Sequence, residues 1–407
     1  MVHVVFVAPY FGNTILKCID VISSLEDVKL GVISQQPEEH LPPKLRERVS
    51  GHYRIPNTLD VGQLVVAARG FQREWGTVDR LLGFLEQLQL PLAEAREALG
   101  ISGMHTEAAR NFRDKNCMKA VLAQAGLPVA RQARIRGLRD AEEFVERVGF
   151  PIILKPLDGL GTRDTFRVSD QAELYAALNK LLPTPARPAQ AEEFVRGAEH
   201  TFETMSIRGE AVWSSSTYYL PGPLEVVESP WIQYCVLLPK ERLGEHSAPF
   251  AEINAKALKA LGMQTGLSHM EWFHTKSGKR VISEVAARPP GVNIMSVNSF
   301  AHEVDMWEKW ARLMVHETFT IPERKWAAGA AFLRGSGAGR TVARIDGLKE
   351  VLHDLGDAVV QTQLPRVGMP RSSHYEGEGW VIVRHPETQG AAEALQQVIS
   401  RTRIHYA

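Results

Sequence analysis

Residues 266–291, "GLSHMEWFHTKSGKRVISEVAARPPG", limit what this chain can become more than any other stretch. Two runs of strand-forming residues, Ser268 to Thr275 and Arg280 to Val285, flank the turn sequence Lys276-Ser277-Gly278-Lys279 and read as a β-hairpin. Each run carries one carboxylate, Glu271 and Glu284, and cross-strand pairing can bring the two together on one face. Carboxylates among apolar neighbours repel each other, and burying them unpaired is costly. A shared Mg2+, which takes carboxylates together with substrate phosphates, removes that conflict. Arg288 follows Glu284 by four residues and precedes Pro289-Pro290-Gly291, so it stands at a strand end facing a loop. The plain alternative is an Arg288–Glu284 ion pair with Glu271 in solvent.

A second stretch, "GFPIILKPLDGLGTRDTFRV" at 149–168, ends an apolar strand on Lys155 and then breaks into glycines. Gly159 and Gly161 can bring backbone N–H groups close to an anion, and Arg163 adds a second positive charge. The spacing is not that of a P-loop. Upstream, Glu107 to Ala125 is predicted as one helix, closed by Gly126-Leu127-Pro128, with Lys115 and Lys119 on one face. Taken alone, that face reads as a solvated one. The extended segment Glu193-Phe194-Val195 can offer backbone groups to a purine edge, and Glu199 can accept hydrogen bonds from ribose hydroxyls. An acidic edge strand would look the same.

The N-terminal hundred residues alternate strand and helix. Val4 to Ala8 and Val28 to Ser34 read as parallel strands joined by a helix over Asn13 to Leu25, with a ligand-facing turn at Pro9 to Asn13. With 407 residues the chain is long enough for two to four domains. We divide it into an N-terminal βαβ domain (1–106), a small lid subdomain (107–190), a large subdomain (191–325) and a C-terminal α+β lobe (326–407). Lys plus Arg and Asp plus Glu both number 47, so no basic excess suggests nucleic acid, and any anion site is local. Cys18, Cys117 and Cys235 are far apart and form no CxxC pair, which argues against a disulfide framework and a thiolate zinc site. No apolar run is long enough to cross a bilayer, and the N-terminus reads as a strand rather than a signal peptide, so a cytoplasmic location is expected.

The order and spacing of these parts resemble the ATP-grasp superfamily over roughly residues 107–320, with an N-terminal Rossmann-like domain before it. The resemblance implies that ATP is held between two α+β lobes. It implies that Lys115 and Lys155 contact the phosphates, and that Gly159, Gly161, Thr162 and Arg163 form a loop over them. Glu192, Phe194 and Val195 match the adenine-contacting hinge, and Glu199 the ribose-binding acid. Glu271 and Glu284 match the Mg2+ ligands (Mn2+ would also serve), and Arg288 the arginine beside the transferred phosphate. "DGLGTRDTFRV", "GLSHMEWF" and the glycine-rich final lobe look most like the L-amino-acid ligases. The implied reaction joins a small carboxylate to an amine through an acyl phosphate, giving ADP and phosphate, with Arg288 and Lys155 as catalytic residues and a homodimer as a plausible assembly.

Two positions depart from the pattern. Ala286 stands where the second metal-ligand strand usually carries Asn, and Asp164 where the loop usually has Gly. Asn293 is a candidate to complete the metal site. These departures keep open a purine-pathway or biotin-carboxylase-like enzyme, or a nucleotide-binding regulator with impaired catalysis. His269 is placed to orient a metal ligand or bind the amine, or else to sit satisfied in the core. Trp213, Tyr218, Trp231, Met295 and the 289–300 loop are candidates for the walls that choose the substrates.

Overall fold

The structure is a computed structural model that describes residues 1–157, 164–228, 233–241, 247–372 and 376–407. Its N-terminal sheet is parallel: β1 (Val2–Ala8) pairs β2 (Val28–Ser34) from Val2↔Val28 to Ala8↔Ser34. β3 (Gly51–Arg54) and β4 (Arg80–Leu82) flank them in the order β3-β2-β1-β4. β1 is apolar on both faces because helices cover both. Val4 and Phe6 pack on Ile15, Ile19 and Ile22 of the helix Asn13–Ser23. Val5 and Val7 pack on Leu64, Ala68 and Phe71 of the helix Val61–Trp75.

The predicted helix over 107–125 is two helices, Thr106–Arg113 and Lys115–Gln124. Asp114 breaks them apart. Its backbone turns extended, and its Oδ1 accepts from the N–H groups of Asn116 and Cys117 at 2.8 and 3.1 Å, capping the second helix. This kink starts the second helix on Lys115.

A small antiparallel sheet follows, with strands β5 (Gln132–Ile135), β6 (Ile152–Pro156), β7 (Phe166–Val168) and β8 (Ala189–Glu193) in the order β5-β8-β6-β7. Alternation along β6 and β8 sends Ile152, Leu154, Ala189 and Ala191 into a core with Phe144 and Leu174 of the covering helices. The other face is left to Ile153, Lys155 and Glu192, which line a cavity.

Among the described residues the large sheet has nine strands. β9 (Gly197–Ile207), β10 (Glu210–Ser215), β11 (Tyr218–Leu220), β12 (Tyr234–Leu238), β13 (Gly266–Thr275) and β14 (Arg280–Ala286) are joined by β15 (Ala327–Leu333), β18 (Val359–Gln363) and β19 (Gly379–His385). The order is β14-β13-β9-β11-β12-β15-β19-β18, with β10 also on β9. β16 (Gly335–Ser336), β17 (Val342–Asp346) and β20 (Arg403–Tyr406) make a separate three-stranded sheet. The hairpin read from the sequence is β13–β14. Behind it, Trp272 is sandwiched between Phe250, 4.2 Å away at 11°, and His200, 4.6 Å away at 26°, which fixes the strand that carries Glu271.

Candidate active site

The pairing of β13 and β14 makes Glu271 and Glu284 direct cross-strand partners. A strict register from His274↔Arg280 through Trp272↔Ile282 would instead set Ser283 opposite Glu271. A β-bulge between Glu271 and Trp272 takes up one residue and turns Glu284 to the face of Glu271. Both carboxylates line a cavity of about 190 Å³ between the small sheet and the large one.

Every cation facing this cavity among those the sequence reading picked out already has a carboxylate partner. Lys115 ion-pairs with Glu284, and Lys155 Nζ lies 3.0 Å from Glu192 Oε2. Arg288 does not pair with Glu284, as the plain alternative had it. Its Nε and Nη2 each lie 2.9 Å from Glu86 Oε2, and its Nη1 donates to the Pro289 carbonyl at 2.9 Å. Glu86 comes from the N-terminal segment, just after β4, and Arg113 Nη1 approaches its other oxygen at 3.6 Å.

These pairings set the ionisation of the cleft. Burial pushes the Glu284 carboxyl up, but Lys115, Lys155 and Arg288 outweigh it and hold it at about 2. Burial pulls the Lys155 ammonium down, and Glu192 and Glu284 reverse that, leaving it raised. Glu199 goes the other way. Burial, and then the neighbouring charge of Glu271, drive its carboxyl well above the usual range. Gly222 lies so close to it that a β-carbon there would stand 2.8 Å from Glu199 Oε2. Glu199 thus faces the charges of Glu271 and Glu284 inside one cavity. That is an environment a divalent cation would relieve. Among the described residues no group of three His, Cys, Asp or Glu is close enough to hold a metal by itself, so an ion on Glu271 and Glu284 would draw its other ligands from phosphate and water.

His269 is neither solvent-facing nor idle. Its Nδ1 lies 2.9 Å from Glu203 Oε1 and its Nε2 lies 3.7 Å from Glu271 Oε1. Burial pulls it down, and the two carboxylates overcome this and raise it to about 9. Tyr219 reaches Glu271 Oε1 from β11 at 3.4 Å.

The structure brings Lys115, Lys155, Glu192, Phe194, Val195, Glu199, Glu271, Glu284 and Arg288 to this one cavity. Gly159, Gly161, Thr162 and Arg163 lie outside the described residues. Other lining residues were not singled out as site residues, among them Glu86, Tyr219 and Lys119. Glu86 and Tyr219 carry no local signal. Lys119 had one, its place one turn after Lys115, but the expected solvated face is wrong. Lys115 is 6% exposed and Lys119 2%, and both turn into the cleft. Of the candidate substrate walls, Trp213 and Met295 sit in the core against Trp310 and Leu267. Tyr218 packs edge-on against His200, and Trp231 lies outside the described residues. The expected 289–300 loop ends at Asn293, where the helix Ile294–His302 begins; Gly291 and Val292 line the cavity, Asn293 is not among the lining residues, and Ala286 is.

Residues 120–299 match the ATP-grasp domain family. The match contains β6, residues 192–195 and the carboxylate hairpin, and begins just after Lys115 and Lys119. With the mixed α/β architecture of two lobes around a cleft, the chain carries an ATP-grasp domain over those residues and has the ATP-grasp fold. It is similar to the L-arginine-specific L-amino acid ligase of Bacillus subtilis, 26% identical over 246 residues, which is 59% of this chain and 59% of that one. It is also similar to the alanine–anticapsin ligase of Bacillus subtilis, 26% identical over 249 residues, or 56% of this chain and 52% of that one. The chain therefore spans little more than half the length of these curated relatives. Among solved structures, an L-amino acid ligase from Bacillus licheniformis superposes with a TM-score of 0.77 at 21% identity, covering 100% of this chain and 99% of that one. N5-carboxyaminoimidazole ribonucleotide synthetase from Thermotoga maritima gives 0.71 at 17% identity, with both chains covered completely. No helix among the described residues is long and apolar enough to cross a membrane.

Proposed function

We propose that this protein is an ATP-dependent carboxylate–amine ligase that makes an amide bond through an acyl phosphate. The observation that carries the reading is the bulged pairing that sets Glu271 against Glu284 in a cleft lined by Lys115, Lys155 and Arg288. The names of the relatives support the amino-acid-ligase class.

A carboxylate does not react with an amine directly, because oxide is too poor a leaving group. In the proposed course an acceptor carboxylate oxygen attacks the γ-phosphorus of ATP, and the bond to the β-bridging oxygen breaks to release ADP. The amine then adds to the acyl carbon, the C–O bond to phosphate breaks, and the nitrogen loses a proton. The protein's part is positioning and charge neutralisation. Lys115 and Lys155 leave their carboxylate partners to meet phosphate oxygens. Glu271 and Glu284 would hold Mg2+, which supplies further neutralisation of the triphosphate when bound. Arg288 holds the acceptor carboxylate, and Glu86, already against Arg288, is placed to receive an ammonium group. A zwitterionic amino acid fits that pair of opposite charges.

ADP release from Mg-ATP is to be measured against a matrix of amino acids and small carboxylic acids, singly and in pairs. Release that needs both partners, and that Glu284→Ala abolishes, is the expected result. Release with one acid and no amine would mean a different acceptor chemistry. ADP binding without turnover on any pair would point to the second reading, a nucleotide-binding regulator, which Ala286 favours by placing a methyl group where a metal donor is expected.

A further inference from the structure

Lys119 is a lysine of the cleft that the proposed chemistry leaves without work. Its side chain is 2% exposed, and its Nζ has no hydrogen-bond partner among the described residues. Its ionic partner there is Glu192, with Nζ 3.2 Å from Oε1. A buried lysine is expensive unless paired, and this one shares its partner. Lys155 Nζ holds the other oxygen of the same carboxylate at 3.0 Å. Gln190 Nε2 also donates to Glu192 Oε1 at 2.6 Å, and to Gln132 Oε1 at 2.7 Å, so the carboxylate is held in place from three sides.

One carboxylate thus stands between two cations. Around Glu192 itself two lysines share one carboxylate, and the local count evens out when one of them finds another anion. Lys155, at the end of β6 and 12% exposed in its side chain, can turn to a phosphate. Lys119, enclosed and one helical turn beyond Lys115, stays. If Lys119 were neutral, the same movement of Lys155 would strand Glu192 as an unpaired buried carboxylate.

We propose that Lys119 is a positioning residue that keeps Glu192 paired in the hinge and so frees Lys155 to bind phosphate. The inference rests on the reading of the cavity as a nucleotide site. Lys119 acts through Glu192 and touches no phosphate. Its contribution therefore depends on the ligand carrying phosphate even though the contact lies at the hinge. With adenosine, Lys155 has no phosphate to go to and Glu192 keeps its partner whether or not Lys119 is charged.

Calorimetric titration of the full chain with ADP plus Mg2+, and with adenosine, tests this on wild type, Lys119→Met, Lys119→Arg, Glu192→Gln and the double variant Lys119→Met/Glu192→Gln. Lys119→Met is expected to weaken ADP about tenfold and adenosine less than about twofold, with Lys119→Arg near wild type. In the Glu192→Gln background the same change is expected to cost nothing, because no carboxylate is left to pair. An undiminished ADP affinity in Lys119→Met overturns the proposal. So does an equal loss for adenosine, which would mean a shaping role, and so does a loss that persists in the Glu192→Gln background, which would mean direct phosphate contact. If Lys119→Met does not fold, Glu192→Gln against the double variant decides alone, and an ADP loss there overturns it. A wild-type chain that fails to bind ADP sinks the nucleotide reading itself, a result distinct from all of these.

Discussion

The two ends of the cleft are built differently. At one end Lys155 pairs with Glu192 inside the small lobe, and Lys115, from the helix Lys115–Gln124, pairs with Glu284 on β14. All of these parts lie between residues 115 and 284. At the other end Arg288 is held by Glu86, some two hundred residues earlier, and Arg113 leans on the same carboxylate. The first end is self-contained, and it is the end that the proposed function gives to the triphosphate. The second is assembled across segments, so a change in the N-terminal segment alters what Arg288 meets without touching the lysines. Under the proposed function, substrate choice and nucleotide binding would be separable, as suits a fold that hosts different chemistries.

Removing either member of the carboxylate pair should erase the chemistry at both ends. Glu271→Ala or Glu284→Ala is expected to lower pair-dependent ADP release by about a thousandfold or more, measured with a coupled ADP assay. Arg288→Met and Lys155→Met should then split the ends. The arginine variant is expected to lose about a hundredfold in turnover while binding ADP within about threefold of wild type. The lysine variant is expected to weaken ADP itself by about tenfold or more. If both variants lose ADP affinity equally, the two ends are one site and the comparison fails. Glu86→Gln is the finer probe: about a tenfold rise in the KM of one amino acid substrate, with ADP affinity unchanged.

The pH response sharpens the self-contained end. Burial raises the Glu192 carboxyl, but Lys119 and Lys155 outweigh it and hold it below its ordinary 4.5. A depressed carboxyl contributes stability that is fully present above its unfolded value and lost as pH falls through the folded one. The melting temperature of wild type relative to Glu192→Gln is therefore expected to be steady from pH 7 to about 5 and to fall below about 4.5. A difference that instead changes between pH 6 and 8 would assign the linkage to another group. The smallest effect concerns the thiols. Cys18 and Cys235 are buried and burial raises both, the second to about 12, so a neutral thiol reagent should leave them unmodified at pH 7.5 in the folded chain.

Much of this was legible in the sequence, for identifiable reasons. The strand over Val28–Ser34 and the helix starting at Asn13 follow from unbroken apolar runs and 3.6-residue spacing, and they stand where expected. The hairpin was clear from its turn, but the facing of its carboxylates was not. An unbulged ladder would have put Glu284 on the opposite face, and only the one-residue shift beside Glu271 makes the pair. Asp114 could have been read as a cap, since it precedes a helix-forming run, yet continuous helical propensity on both sides hid the break. Glu86 was out of reach. Its value comes from folding Arg288 and Arg113 against it, and nothing in "GFLEQLQL" carries that information.

The sheet that carries the carboxylates does not stop at β12. Residues 234–238 pair with 328–332 in an unbroken antiparallel ladder, and β15 in turn pairs with β19. A chain cut near residue 326 would therefore lose a neighbour along the whole of β12 and bare a row of amide and carbonyl groups beside Val236 and Leu238, both buried here. Such an open edge recruits other chains. A fragment ending before β15 should be sought in the insoluble fraction, because β15 is the strand that seals the edge of β12.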